Sequence, residues 1–330
     1  MKARTHHYVA YGQVLASTVT LPELPAAPSR SRIDLTVSGP RGVDHDNTAR
    51  PDEVRSVVGQ KGPWLRVFHG GSGTYELDFS GGARFAFSSD PAHVAVRSHC
   101  TDARVMRHLL IDQVVPLTLS HRGVPLLHAS AVVVDGRTIA FVGPSGSGKS
   151  TLAASFVDDG ALVMADDALA LERQDGWWAR PSYPGVRVWP DAFAALGRGV
   201  DGRHTLLSPL RGSVPRGPRR VASYTDKRRL GPRHGVRCCR QAAPVARIYV
   251  LTAETVADPI VAPLSRRDAV MSLVSQTFVL DGRDGPRLET QLAWIAELAS
   301  EVDVRALHRP RDLGRLAAVR AVVYRDIRVE

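Results

Sequence analysis

The sequence predicts an α/β protein, α+β in its overall distribution. A β-rich N-terminal domain over residues 1–123 ends in a helix, and residues 124–330 form a second domain around a mixed sheet. Three observations carry this prediction. Short alternating runs separated by turn residues crowd the first part. An Asp-Gly pair between two apolar runs marks a hairpin at the start of the second. A strand, a glycine-rich loop, a helix and another strand then follow one another within a span that suits a minimal βαβ unit.

In the first domain, His7–Val14, Arg32–Val37, Trp64–Phe68, Thr74–Phe79, Arg84–Ser88 and His93–Arg97 read as strands, bounded by Gly, Pro and Asp. Pro25–Ser31 is a Pro/Ser-rich loop, and the polar residues 39–62 read as irregular. Val105–Leu119 places Leu109, Leu110, Val114 and Leu117 at helical spacing and leads into the second domain.

The second domain opens with Leu126–Val134 and Arg137–Val142 around Asp135-Gly136. A two-residue turn pairs Val134 with Arg137 and Val132 with Ile139, and the same register carried back sets His128 opposite Gly143. Gly143 opens the run GPSGSGKST, which has the form G-x-x-x-x-G-K-[ST] between a strand and a helix. Gly143, Ser145, Gly146, Ser147 and Gly148 form a loop whose backbone N–H groups turn inward on a phosphate, and the following helix adds its dipole. Lys149 then reaches the β- and γ-phosphates, Ser150 ligates Mg²⁺, and Thr151 opens the helix on Ser150–Val157. The predicted cofactors are therefore ATP and Mg²⁺. Gly160 ends that helix, and Ala161–Asp167 is an apolar strand finishing in Asp166 and Asp167, the position of a carboxylate that holds Mg²⁺ directly or through water.

Downstream, Trp177–Trp189 reads as strand, turn and strand, and Val245–Thr252 as a buried strand. Leu264–Leu273 and Glu289–Leu298 carry helical spacing, and Val302–Leu307 is a short strand before Pro310.

The composition, 44% hydrophobic and 23% charged, is that of a soluble globular protein. No apolar run is long enough to span a membrane, and the N-terminus lacks the apolar centre of a signal peptide. Three cysteines, Cys100 and the adjacent Cys238 and Cys239, fit neither a disulfide framework nor a zinc spacing, so a reduced, cytoplasmic setting is expected. Cys238 and Cys239 sit among arginines, a setting that lowers a thiol's pKa. The net charge of +10 is concentrated between Arg203 and Arg240, where ten arginines and Lys227 face one acid, Asp226. This segment reads as a solvated loop or as a surface for an acidic partner. Nucleic acid is not the expected partner, because Tyr224 is the aromatic residue that interleaves with these arginines.

These residues carry a resemblance. LHAS (Leu127–Ser130), the Asp-Gly hairpin, GPSGSGKST, Gly160 and VMADD (Val163–Asp167) together resemble the catalytic core of the HPr kinase/phosphorylase family. YPGVRVWPD (Tyr183–Asp191), HRPRDL (His308–Leu313) and the β-rich N-terminal domain resemble a branch of HPr-kinase-like proteins that includes lasso-peptide tailoring kinases. The resemblance implies an ATP-dependent serine kinase acting on a small protein or peptide, and it leaves homo-oligomerisation open. It implies that Lys149 and Ser150 hold nucleotide and Mg²⁺. One of Asp166 and Asp167 would be the general base and the other would serve the metal. His128 would orient that base or contact the γ-phosphate, and Arg187 is a candidate contact for substrate or phosphate. The chain departs from the HPr-directed enzymes at Thr151, where they carry Glu, and their later glycine-rich signature is not recognisable, so HPr is not the expected acceptor. A small-molecule hydroxyl would be served equally well by Lys149, Ser150 and Asp166. A nucleotide-binding regulator is the remaining reading.

Overall fold

The computed structural model describes residues 4–28, 31–39, 52–59, 62–70, 73–90, 92–97, 102–196, 220, 222 and 225–328. Residues 203–219, 221, 223 and 224 of the arginine-rich segment, and Cys100, lie outside them. The chain divides into two units, Met1–Val124 with Phe278–Thr290, and Pro125–Thr277 with Gln291–Glu330.

The first unit is an eight-stranded sheet of β1 (His6–Ala10), β2 (Gln13–Ser17), β3 (Leu35–Ser38), β4 (Asp52–Gly59), β5 (Gly62–Gly70), β6 (Thr74–Phe79), β7 (Ala83–Ser88) and β8 (His93–Val96). Its order is β1-β2-β3-β8-β7-β6-β5-β4, with β3 parallel to both its neighbours and every other pair antiparallel. The run read as one strand, His7–Val14, folds as a hairpin. Tyr11 and Gly12 take φ of 58° and 71°, the left-handed pair that a two-residue turn between twisted strands requires. The strand β4 lies within the stretch read as irregular. None of its described side chains is buried, so it shows no apolar alternation, and its pairing with β5 alone makes it a strand.

The predicted helix is present but interrupted: α1 (Ala103–Leu109), a π-turn over Leu110–Val114, and α2 (Val115–His121). Pro116 explains the interruption, because it has no N–H for the Asp112 carbonyl four residues back and its ring crowds that carbonyl. Tyr11 Oη donates to the Ile111 carbonyl at 2.9 Å within this turn.

The second unit begins with β9 (Leu126–Leu127), β10 (Ala129–Val134), β11 (Arg137–Val142), α3 (Lys149–Asp158), β12 (Leu162–Ala165), β13 (Leu169–Arg173), β14 (Trp177–Arg180) and β15 (Val186–Val188). It continues with α4 (Pro190–Leu196), β16 (Arg228–Leu230), β17 (Ala243–Leu251), β18 (Ile260–Pro263), α5 (Arg266–Val274), α6 (Gly285–Glu301, of which the turns from Gln291 belong here), β19 (Asp303–His308) and α7 (Leu316–Ile327). The main sheet runs β12-β10-β11-β17-β14-β13-β9, with β19 parallel to β17 and β18 antiparallel to β19. The strands β15 and β16 pair separately. This is a mixed α/β architecture, as the sequence predicts.

Strand direction positions the site. The strand β10 is antiparallel to both β11 and β12, so those two run the same way, and β17 and β19 run parallel to β11. The carboxyl ends of β11, β12, β17 and β19 and the amino end of β10 therefore meet at one edge of the sheet, where ligands of open α/β sheets bind. Both faces are covered. Val132, Ile139 and Phe141 pack with Leu152 and Phe156 of α3 and Val319 and Val323 of α7, whereas Ala131, Ala140 and Val142 pack with Leu273, Ile295 and Leu298. The period-two alternation along β10 and β11 sends successive side chains to opposite cores.

A buried polar cluster locks α7 onto the sheet. Arg247 on β17 is 1% exposed; its Nη1 donates to Asp326 Oδ2 at 2.7 Å and to the Asp326 carbonyl at 2.6 Å. Tyr249 Oη donates to the same carboxylate at 2.6 Å, and Arg305 Nη1 reaches Asp326 Oδ1 at 2.5 Å. Removing one partner of such a cluster leaves an uncompensated buried charge. Asp326→Ala is expected to lower the unfolding free energy by about 3 kcal/mol, read from urea denaturation. A loss below about 1 kcal/mol would show that Arg247 is satisfied by other groups.

Candidate active site

The hairpin register holds from Val134–Arg137 to Ala129–Val142, and it is closed by Asp135-Gly136 with φ of 49° and 78°. It ends there. His128 N donates instead to the Gln276 carbonyl at 2.6 Å, and His128 Nδ1 meets the Asp167 carbonyl at 2.8 Å. A carbonyl only accepts, so Nδ1 carries the proton and Nε2 is the acceptor nitrogen. Burial, reinforced by the nearby Lys149 ammonium, lowers the His128 pKa to about 4, so the ring is neutral at pH 7.

The glycine loop takes the form the motif requires. Gly143, Gly146 and Gly148 have φ of 145°, 81° and 88°. A Cβ on Gly143 would lie 2.9 Å from the Leu251 carbonyl, so a side chain there would push the loop off the end of β17. Ser147 N donates to the Pro144 carbonyl at 3.1 Å, tightening the turn, and the Ser147 hydroxyl is buried with no partner among the described residues. Gly148 caps α3, and Ser145 is exposed on the loop. Thr151 is half-buried in the first turn of α3.

Lys149 is buried and folds back onto its own loop, with Nζ donating to the Gly143 carbonyl at 2.7 Å and to that of Pro144 at 3.2 Å. Burial lowers its pKa to about 8, although the Asp167 and Asp166 carboxylates pull in the other direction. An ammonium held by two neutral carbonyls is poorly compensated, which suits a group whose partner is an incoming phosphate.

The two aspartates end β12 and diverge. Asp166 is fully buried, accepting from Ser130 Oγ at 2.7 Å on Oδ1 and from the Arg187 backbone N–H at 2.8 Å on Oδ2. Ser130 Oγ also lies 3.5 Å from Ser150 Oγ, so the Ser150 hydroxyl and the Asp166 carboxylate face the same spot. Asp167 takes a left-handed conformation, φ 64°, which turns its side chain away. Its carboxylate is 18% exposed and lies 2.6 Å from Arg187 Nη2. Burial pushes the Asp166 carboxyl up, and the neighbouring Asp167 adds to this. Burial also works to raise Asp167, but Arg187, Lys227, His128 and Lys149 outweigh it and hold that carboxyl well below the usual range.

Arg187 is 1% exposed on β15, and so is not a solvated edge residue. Gly185, with φ 126°, lets β15 close on β16, because a Cβ there would collide with the Leu230 carbonyl. The Tyr183 ring lies 5.1 Å from the Arg187 guanidinium carbon and 4.7 Å from that of Arg229, a stack that keeps Arg187 extended toward the aspartates.

The structure thus gathers Lys149, Ser150, Asp166, Asp167, His128 and Arg187 at one sheet edge, with Arg187 against the carboxylates. Ser130 and Lys227 were not singled out from the sequence. Ser130 sits in the LHAS run, and an alternating β10 sends Ser130 to the face opposite Ala129, which is the available signal. Lys227 lies within the arginine-rich segment, acts on Asp167, His128 and Lys149 through its charge, and carries no local signature. Cys238 differs from the expectation: its thiol is pushed up to about 11, because burial outweighs the Arg229 and Arg240 charges.

No family model matches the chain, and no curated protein matches it. Among solved structures the chain is similar to the Hpr(Ser) kinase/phosphatase from Coxiella burnetii, at 12% identity over 62% of this chain and 97% of that one, with a TM-score of 0.31.

Proposed function

We propose that this chain is an ATP- and Mg²⁺-dependent kinase of a serine or threonine hydroxyl on a small protein or peptide, with biosynthetic peptide precursors as the first acceptors to test. The observation that carries the reading is the meeting of a phosphate loop with two carboxylates of opposite character. Binding a nucleotide needs the loop and Lys149; it does not need a second, ionised carboxylate at the mouth of the site.

The donor set fits Mg²⁺. Ser150 Oγ and the Asp166 carboxylate are hard oxygen donors on adjacent elements, and an ion that usually takes one or two carboxylates plus phosphate oxygens needs no fuller cage. When bound with ATP, Mg²⁺ neutralises charge on the β- and γ-oxygens. The chain's own groups do the rest. The loop N–H groups and Lys149 hold the phosphates, and Asp167 accepts the proton of the acceptor hydroxyl. The acceptor oxygen forms its bond to the γ-phosphorus while the bond to the ADP oxygen breaks. Asp167 is a weak base because Arg187 holds it ionised, so it takes the proton late, as the hydroxyl becomes acidic. That timing matches a loose phosphoryl-transfer transition state. His128, neutral and donating to the Asp167 carbonyl, fixes the backbone that aims this carboxylate.

With Mg-ATP and peptides encoded by small reading frames beside the gene, the acceptor should gain about 80 Da by mass spectrometry, one phosphoryl group. No gain on any peptide, with transfer to a sugar or metabolite panel, would reassign the acceptor. Asp167→Asn should cut kcat by about 10²–10⁴-fold and leave the Mg²⁺ requirement unchanged. Asp166→Asn should raise the Mg²⁺ concentration needed for half-maximal rate. Near-normal turnover in both variants would remove the aspartates from the chemistry.

Affinity for Mg-ATP should fall as pH rises through about 8, where Lys149 loses its proton in the free protein. The sign follows from the pairing: phosphate favours the charged lysine, so binding takes up a proton above its pKa. The limiting slope is about tenfold in Kd per pH unit. A Kd independent of pH above 8 would show that Lys149 does not meet the nucleotide.

A further inference from the structure

A second cation touches the phosphate loop, and it comes from the far end of the chain. Arg309 follows β19, which runs parallel to β17 and β11, so it emerges at the sheet edge that carries the loop. Its Nη2 donates to the Ser147 carbonyl, and a Cβ on Gly148 would lie 2.7 Å from that nitrogen. That guanidinium end can move, so it is the φ of 88° that calls for glycine at Gly148. Nη1 donates to the Pro310 carbonyl at 3.3 Å, and Nε is buried with no partner among the described residues.

No carboxylate pairs with Arg309 among the described residues. The buried Arg187 and Arg247, by contrast, each have two, the nearer at 2.6 Å and 2.7 Å. Burial lowers the Arg309 pKa, and the one neighbouring charge that adds to this, Arg311, is of the same sign. A half-buried cation resting on neutral carbonyls is costly to maintain, and the cost is recovered when an anion arrives. Lys149 likewise rests on the Gly143 and Pro144 carbonyls of the same loop, with Asp167 and Asp166 near enough to act on its charge.

We propose that Arg309 belongs to the nucleotide site: when a nucleoside triphosphate binds, its guanidinium leaves the Ser147 carbonyl and grips phosphate oxygens. This rests on the nucleotide-binding reading of the loop. The planar fork of arginine can meet two oxygens at once, which a lysine there could not. The contact ties the C-terminal end of β19 to the loop at the end of β11, and so reports nucleotide occupancy across β17, which lies between them.

The test is calorimetric titration of Mg-ATP, tripolyphosphate and adenosine into the wild-type chain, R309Q, R309K and K149A. R309Q removes the charge and, being shorter, the Nη2 contact to the Ser147 carbonyl as well, so adenosine serves as the control for an intact site and R309K keeps a charge beside the loop. The Kd of R309Q for Mg-ATP and for tripolyphosphate should rise about ten- to hundredfold, with a shallower dependence on salt. R309K should fall between R309Q and wild type, and adenosine binding should not change. Mg-ATP affinity in R309Q within twofold of wild type overturns the proposal. If R309Q does not fold, wild-type affinity and salt dependence in R309K do so instead. If the wild-type chain binds neither Mg-ATP nor tripolyphosphate, the nucleotide reading fails and this proposal with it. That pattern is distinct from binding that is retained in wild type, lost in K149A and unaffected in R309Q.

Discussion

The site hangs on one buried carboxylate. Asp166 is held by the Ser130 hydroxyl of β10 and the Arg187 amide of β15, with the Arg187 guanidinium 3.6 Å from its Oδ2. Its Ser130 partner also meets Ser150 of α3. Four elements therefore converge on one side chain. Taking a carboxylate out of water costs several kcal/mol, and hydrogen bonds to a charged group return about 1.5–3 kcal/mol each. Two such bonds and a guanidinium roughly offset the burial, and they leave little slack for any of the four elements to move.

That arrangement divides two neighbouring residues into different chemical species. Consecutive strand-end residues point apart, and the left-handed turn at Asp167 widens the separation. One carboxyl goes into a dry pocket where burial pushes its pKa up. The other stands at the mouth beside Arg187 and is held ionised. A single arginine serving both carboxylates lets a pair of adjacent acids persist in a buried setting. At the loop, too, two cations sit close together, Lys149 and Arg309 each resting on a loop carbonyl.

Much of this was legible in the sequence where the rule is local. The Asp135-Gly136 turn fixes its register through two residues that accept positive φ, and the pairing follows for six residues on each side. The glycine loop, α3 and β12 follow from turn chemistry and spacing within one short stretch. Failures occurred where the signal is not local. The edge strand β4 buries none of its described side chains, so no alternation marks it. Pro116 lies inside a helical pattern whose apolar spacing conceals the π-turn. The ladder stops one residue short of His128, because Gln276, remote in sequence, claims its amide.

By itself, the sequence determined the phosphate loop, the helix that follows it, the hairpin before it and the paired acids after it. In each, the backbone conformation is set by glycine, by a turn or by the period of neighbouring side chains. Only the tertiary structure decided which groups those acids would face. Ser130 on β10, Arg187 on the separately paired β15 and Arg309 just past β19 reach the loop and the end of β12 across 36, 21 and 162 positions of chain. No local preference encodes such meetings. They follow from which elements the fold packs together and in which direction each strand runs.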